Sequence, residues 1–151
     1  MHPSVTEQLR GVRRTLTEVV APDLSSPYPA EVLRGVVAAL EGLERSWTRV
    51  LPFLVWDNAE TAALLGAISP VVEPELAVRI TQLCDAEPGD ALDVDAGDAR
   101  NEALRGLLAE AVPGLAAGGA ETADAHAAVV AHLRERIDRF PLTMNAPMPG
   151  R

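Results

Sequence analysis

The chain has 151 residues, 48% of them hydrophobic, which suffices for one ordinary domain with a real core and argues against a disordered chain. Its formal net charge of −9 argues against nucleic acid and anionic membrane surfaces as partners, because both attract positively charged faces. All 13 basic residues are arginine, so the composition excludes Schiff-base lysine chemistry and a lysine-dependent phosphate loop.

The first residues, MHPSVTEQLRGVRR, lack the apolar segment of a signal peptide. No apolar run approaches the roughly 20 residues that a membrane span needs. We therefore expect a cytoplasmic location and no membrane partner. Cys84 is the only cysteine, so neither an internal disulfide nor a cysteine-based zinc cage is expected.

The first predicted helix begins with a capping box, in which the Ser4 hydroxyl accepts the Glu7 amide proton and the Glu7 carboxylate reaches back to the Ser4 amide. Apolar residues then follow at alternating four- and three-residue steps and form one stripe. The stripe consists of Val5, Leu9, Val12, Leu16 and Val19. Pro22 predicts the end of this helix, because the residue before a proline avoids the α region.

A turn, DLSSPYP, separates the first helix from a second one that starts near Ser26, with Pro27 or Pro29 in its first turn. The buried face predicted for this helix comprises Leu33, Val36, Val37, Leu40, Leu43 and Trp47. Pro52 then falls inside the apolar pattern. Because a proline removes a backbone hydrogen bond and clashes with the preceding turn, we predict a kink or break at residues 48–51.

Asp57 and Glu60 have the spacing of another capping box, which predicts a third helix over about 58–67 and an end at Ser69-Pro70. A fourth helix is expected from Glu73-Pro74 onwards, with its apolar side chains on one face. That face consists of Leu76, Ile80 and Leu83.

The acidic segment 85–97 contains glycine and proline and is predicted to be a mobile loop. A fifth helix is expected at about 98–112, followed by a flexible joint from Pro113-Gly114 to Gly118-Gly119. The sixth helix, at about 122–139, has an apolar face of Val129, Val130, Leu133, Ile137 and Phe140.

No segment shows a convincing strand pattern. The sequence therefore predicts an all-α fold, a single-domain helical bundle of about five to six helices, because short amphipathic helices are stable only when they pack together. The bundle is expected to cover residues 1–142, and a proline-containing C-terminal tail covers 143–151.

Trp56-Asp57-Asn58-x-Glu60 is the first candidate site. Asp57 and Glu60 beside an aromatic wall form a candidate acid/base or metal pair, since burial against an apolar ring raises a carboxyl pKa. The alternative is that Asp57 is a helix N-cap and that Phe53 and Trp56 fill the core. Capping explains the residue pattern fully and is the preferred interpretation.

His126 is the remaining weak catalytic candidate. It and His132 lie six residues apart on one predicted helix, about 120° apart around its axis, so they do not bind one metal from a single face. Glu121 and Asp124 precede His126, but they also complement the helix dipole. The Glu-x-x-His pairs of di-iron bundles are missing, and we expect neither metal nor cofactor.

Two stretches are candidates for partner binding. Arg10, Arg13 and Arg14 form the densest basic cluster, which either docks an acidic group or is a solvated face balanced by Glu7 and Glu18. The tail PLTMNAPMPGR is apolar and proline-rich, so it loses little entropy on docking, with Met144 and Met148 as contact residues. The alternative is that the tail is a frayed terminus without a docking role.

The segments LTEVVAPDL, LRGVVAALEGLE, LPFLVWDN and LRERIDRFPLTMNAPMPG resemble those of small, uncharacterised actinobacterial helical proteins. The resemblance spans most of the chain. It is to accessory proteins encoded beside phosphotransferase-like and acyl-CoA dehydrogenase enzymes, and it provides no catalytic residues that could be assigned to positions of this chain.

The first functional hypothesis is thus a helical protein that acts through protein contact, either as a homodimer or as an accessory subunit of an enzyme, without its own catalysis. The second is a binding protein for a small apolar ligand, held in a pocket between helices. Trp47, Phe53, Trp56 and Asn58 are the candidate ligand-binding residues. The third is a small enzyme that uses Asp57, Glu60 or His126.

Overall fold

The computed structural model describes residues 3–90 and 92–141. Within them the chain is helical apart from short connections, and it contains no strand, which confirms the predicted all-α fold. No helix in this part of the chain is long and apolar enough to cross a membrane. Two compact units can be separated: the N-terminal hairpin, residues 3–49 with Pro141, and the C-terminal bundle, Val50–Phe140. The predicted tail, including Met144 and Met148, lies outside the described residues.

Helix α1, Val5–Thr15, begins with the predicted Ser4–Glu7 capping box. The predicted end at Pro22 is wrong, because a π-helical segment, Leu16–Val20, and a short α2, Ala21–Asp23, continue the helix. In this segment the Ala21 amide donates to the Leu16 carbonyl, five residues back. The wider turn accommodates the proline that follows, which has no amide proton to donate.

Helix α3 runs from Pro27 to Ile68 and includes Pro52. The predicted interruption at 48–51 and the predicted N-cap at Asp57 are therefore both wrong. A proline inside a helix costs about 3 kcal/mol, but Phe53 and Leu54 directly after it are buried. Their packing offsets the local cost, and Pro52 itself is exposed.

The C-terminal bundle consists of the second part of α3 together with α4 (Pro74–Asp85), α5 (Val94–Ala117) and α6 (Ala123–Arg139). The predicted end of α3 before Ser69-Pro70 and the start of α4 at Pro74 are confirmed. Helix α5 is longer than predicted at both ends. Asp93 caps it by accepting from the amides of Asp95 and Ala96, and the helix continues through Pro113 because Leu115 beyond it is buried.

The core of the bundle joins all four helices through aliphatic side chains. Its buried members are Leu65, Ile68, Leu76, Ile80, Leu104, Leu107, Leu108, Ala111, Leu115 and Val129. The predicted apolar face of α6 is only partly correct, since Leu133, Ile137 and Phe140 are exposed. The helix instead turns His132 and Arg136 inward, where both meet a buried carboxylate.

Candidate functional site

Asp57 lies on α3 inside the bundle and is fully buried. Its Oδ2 accepts hydrogen bonds from Asn101 Nδ2 at 2.7 Å and from Arg136 Nε at 2.8 Å. Asn101 comes from α5 and Arg136 from α6, so one carboxylate ties three helices together. A buried carboxylate needs this kind of compensation, because desolvation of an unpaired charge costs several kcal/mol.

The second oxygen of Asp57, Oδ1, has no hydrogen-bond partner among the described residues. It faces His132 Nε2 at 3.8 Å, which is beyond hydrogen-bond distance. The same His132 nitrogen lies 2.9 Å from Thr61 Oγ1, and both Thr61 and His132 are buried. Asn58 extends the cluster, since its Oδ1 accepts from Asn101 and its Nδ2 donates to the Gly97 carbonyl.

Aromatic rings border this polar cluster. The Arg136 guanidinium lies 5.5 Å from the Phe53 ring centroid and 5.7 Å from that of Phe140, and the two rings pack edge to face. Arg139 lies 4.3 Å above the Trp56 ring. The contacts with Phe53 and Phe140 hold Arg136 in place beside Asp57 through cation–π attraction and packing.

The residue types Thr, His and Asp invite comparison with a nucleophile–base–acid relay, but the geometry does not match one. A relay uses the two imidazole nitrogens separately, one toward the nucleophile and the other toward the carboxylate. Here Thr61 and Asp57 both face Nε2 of His132. Thr61 and Asp57 are also fully buried, so substrate has no access to them. The cluster therefore acts as a set of polar ties inside the bundle.

The structure separates the predicted acid/base pair. Glu60 is exposed, whereas Asp57 is buried and is joined to Asn101 and Arg136. His126 is partly buried, and no group of three or more His, Cys, Asp or Glu side chains within residues 3–90 and 92–141 is placed to hold a metal ion. Burial raises the pKa of the Cys84 thiol, whose Sγ donates to the Ala62 carbonyl.

Sequence reasoning missed Thr61, Asn101, His132 and Arg136. Each lies at a buried or half-buried position of an otherwise apolar helical stripe. Asn101, for example, is followed at three- and four-residue steps by Leu104, Leu108, Ala111 and Leu115. A polar residue in register with such a stripe was the available signal.

The N-terminal hairpin is built differently. Helix α1 and the first part of α3 run antiparallel, as shown by Trp47 Nε1 donating to Thr6 Oγ1 and by Arg10 Nε and Nη2 donating to Glu44. Glu44 also binds Arg13. Hydrogen bonding from Arg10 holds the pKa of Glu44 below its ordinary value of 4.5.

Each arginine of the predicted basic cluster therefore has a carboxylate partner nearby. Arg10 and Arg13 bind Glu44, and Arg14 binds Glu18. Glu7 and Glu18 were both predicted to balance these arginines. Glu18 binds Arg14, whereas Glu7 completes the capping box by accepting from the Ser4 amide. The role of the three arginines in binding a partner stays a prediction.

No apolar side chain among residues 3–49 is fully buried. Both helices carry apolar residues at heptad spacing, and these divide into two rows. The inner row, which is half-buried within the hairpin, comprises Leu9, Leu16, Leu33, Leu40 and Trp47. The outer row, whose members are 40–61% exposed, comprises Val5, Val12, Val19, Val36 and Leu43.

An apolar groove of about 450 Å³ opens within the same hairpin. It lies between the π-helical region of the first helix and the early turns of α3. Its lining is mostly aliphatic, with one charged residue of each sign: Thr17, Ala21, Ala30, Leu33, Arg34, Val37, Ala38 and Glu41. None of the aromatic residues predicted to wall a ligand pocket lines it.

Those aromatic residues belong to different units. Trp47 is in the hairpin, bound to Thr6, whereas Phe53 and Trp56 lie in the bundle with ring centroids 5.9 Å apart. Asn58, the fourth predicted ligand contact, binds Asn101 and Gly97 inside the bundle.

Comparison of the chain with protein-family models, with curated proteins and with solved structures finds no match.

Proposed function

We propose that this protein acts through protein contact, as an interaction or accessory subunit without its own catalysis, and that the heptad rows of the hairpin form the contact surface. The observation that carries the proposal is the outer row of exposed valine and leucine side chains on two neighbouring helices. Water-exposed apolar rows at this spacing are typical of helices that pack against further helices.

The contrast with the bundle supports the proposal. The bundle buries twelve hydrophobic residues, from Phe53 to Val129, whereas residues 3–49 bury none completely. Burial of an aliphatic side chain contributes about 1.5–3 kcal/mol, so covering even part of the outer row provides a substantial driving force for association. The polar cluster around Asp57 offers no rival function, because its central groups are inaccessible.

Site-specific photo-crosslinking tests the proposal. A benzophenone amino acid placed at Val12 or at Val36 of the full chain in cells is expected to form a covalent adduct of higher mass. Val78 is the matched control, since it is a valine on α4 that is 56% exposed but outside the hairpin. Absence of adducts at Val12 and Val36, or equal yields at Val78, would refute the proposal.

The groove supports a second candidate function, the binding of a small apolar ligand. Its volume lies within the range of about 300–1,000 Å³ that is typical of ligand sites, and its lining is chiefly aliphatic. Titration with a medium-chain fatty acid, monitored by calorimetry, tests this candidate. Binding should be lost in Ala38→Trp, which fills the groove, and kept in Ala63→Trp, an exposed alanine of the bundle. A titration without binding heat, or binding heat that is unaffected by Ala38→Trp, would refute this candidate function.

A further inference from the structure

The heptad rows on the hairpin have the arrangement of half a four-helix bundle. In such a bundle each helix contacts two neighbours, so one apolar row faces within a pair and the adjacent row faces the opposite pair. The inner row of the hairpin is half-buried and the outer row is exposed. A second pair of antiparallel helices, packed against the hairpin, would cover both the inner and the outer row.

The charge of the hairpin restricts the identity of that second pair. Residues 3–49 contain six arginines and six acidic residues, so their formal charge is zero, and the whole net charge of −9 comes from residues 50–151. Several of these charges are paired beside the apolar rows, as in Arg10–Glu44, Arg14–Glu18 and Arg45–Glu41. Two copies of this surface meet without net repulsion, whereas a strongly charged partner finds no complementary charge.

The size of the surface is that of a small protein interface. The first helix with its continuation, Val5–Asp23, has 19 residues and is therefore about 28 Å long. Two helices packed about 10 Å apart give a face roughly 20 Å wide. The flat footprint of such a face is about 560 Å², compared with the roughly 800 Å² per partner that a standard interface buries, and protruding side chains raise its accessible surface above the footprint.

We infer that the partner is a second copy of this chain, and that two hairpins pack through their outer rows into a four-helix bundle with two-fold symmetry. This inference rests on the proposed contact function of the hairpin. A two-fold interface uses the same patch on both chains, so an apolar row on a hairpin whose net charge is zero meets its requirement.

Size-exclusion chromatography with light scattering on the full chain tests the inference. The expected mass is twice the 16.0 kDa of one chain, and dilution should shift it toward one chain. The double variant Val12→Glu/Val36→Glu should be monomeric. Both positions are exposed in the single chain, so the hairpin tolerates the substitutions.

Two matched double variants serve as controls. Val55→Glu/Val78→Glu adds the same charge at valines of the bundle that are equally exposed, and Leu133→Glu/Ile137→Glu changes the exposed apolar side of α6. Both should remain dimeric. A monomeric wild type at every concentration, a dimer that survives Val12→Glu/Val36→Glu, or a dimer lost in Leu133→Glu/Ile137→Glu would overturn the inference.

The crosslinking experiment separates this inference from the proposed function. Adducts at Val12 with the mass of two chains support both. Adducts only with a different protein leave the contact function standing and overturn the inference of a second copy. Absence of any adduct from the hairpin refutes both.

Discussion

The two units of this molecule differ in how far they bury their apolar side chains and pair their polar ones. In the C-terminal bundle, apolar residues are buried around Leu65 and Leu104, and buried polar residues are bonded to one another around Asp57. In the N-terminal hairpin, several charged residues are paired but the outer apolar row is exposed. A unit that exposes a row of aliphatic side chains lacks a fully packed core, and packing is what a partner adds.

The largest effect that separates the units is expected from Arg136→Ala. Loss of the guanidinium leaves the fully buried Asp57 carboxylate without a cation and should lower the free energy of unfolding by about 3–5 kcal/mol. Denaturant unfolding, monitored by circular dichroism, measures this change in the free energy of unfolding. Arg134→Ala, an exposed arginine of the same helix, should change it by less than about 0.5 kcal/mol. Similar values for both variants would contradict the assignment of the ion pair.

A pair of truncations compares the aliphatic side chains of the two units directly. Leu104→Ala removes a fully buried side chain from the bundle and should cost about 2–5 kcal/mol in unfolding free energy. Val12→Ala removes an exposed side chain and should cost less than about 0.5 kcal/mol in a dilute, monomeric sample. Val12→Ala should instead weaken association in a sedimentation series. A large loss of unfolding free energy in monomeric Val12→Ala would show that the hairpin already has a core.

The polar cluster predicts a smaller effect for Thr61→Val. The substitution keeps the side-chain shape but leaves His132 Nε2 without its partner at 2.9 Å, which should cost about 1–3 kcal/mol. Thr81→Val is the control, because Thr81 is exposed and its hydroxyl bonds only its own helix at Ala77. Thermal unfolding of both variants measures the difference. Equal melting temperatures would argue that the Thr61 hydroxyl contributes nothing.

The smallest effect is expected on the stability of the hairpin as the pH is lowered. The pKa of Glu44 is lowered by hydrogen bonding from Arg10, so its contribution to hairpin stability is full above the unfolded pKa of about 4.5 and is lost as the pH falls through the lower folded pKa. Amide hydrogen exchange in α1, recorded as a function of pH, measures this contribution to hairpin stability. Glu44→Gln should remove this dependence, whereas Glu110→Gln, which breaks the exposed Arg79 pair of the bundle, should leave it unchanged. Identical pH profiles for wild type and Glu44→Gln would contradict the role of this pair.

Local signals predicted the ends of several helices correctly. The Ser4–Glu7 capping box, the stop at Ser69-Pro70 and the start at Pro74 all depend on a few neighbouring residues. Pro52 and Pro113 misled the prediction because their cost is local, whereas the packing that offsets it comes from residues distant in sequence. The first helix, by contrast, ends at Asp23, one residue beyond Pro22.

The candidate site was predictable only at Asp57 and Asn58. The partners of Asp57, Asn101 and Arg136, lie 44 and 79 residues further along the chain. Helical periodicity does not specify which polar residues meet across three helices. The same periodicity placed Leu133 and Ile137 inside, because it reads apolar side chains as buried and charged ones as exposed. The Arg136–Asp57 ion pair reverses that rule for α6.

Hydrogen exchange at several chain concentrations tests the central claim most directly, since it reports on both units in one sample. We predict that amides in α1, Val5–Thr15, exchange more slowly as the concentration rises, whereas amides in α5, Val94–Ala117, exchange at a constant rate. Exchange in α1 that is equally slow at the lowest and the highest concentration would contradict the claim that the hairpin is completed by a second copy.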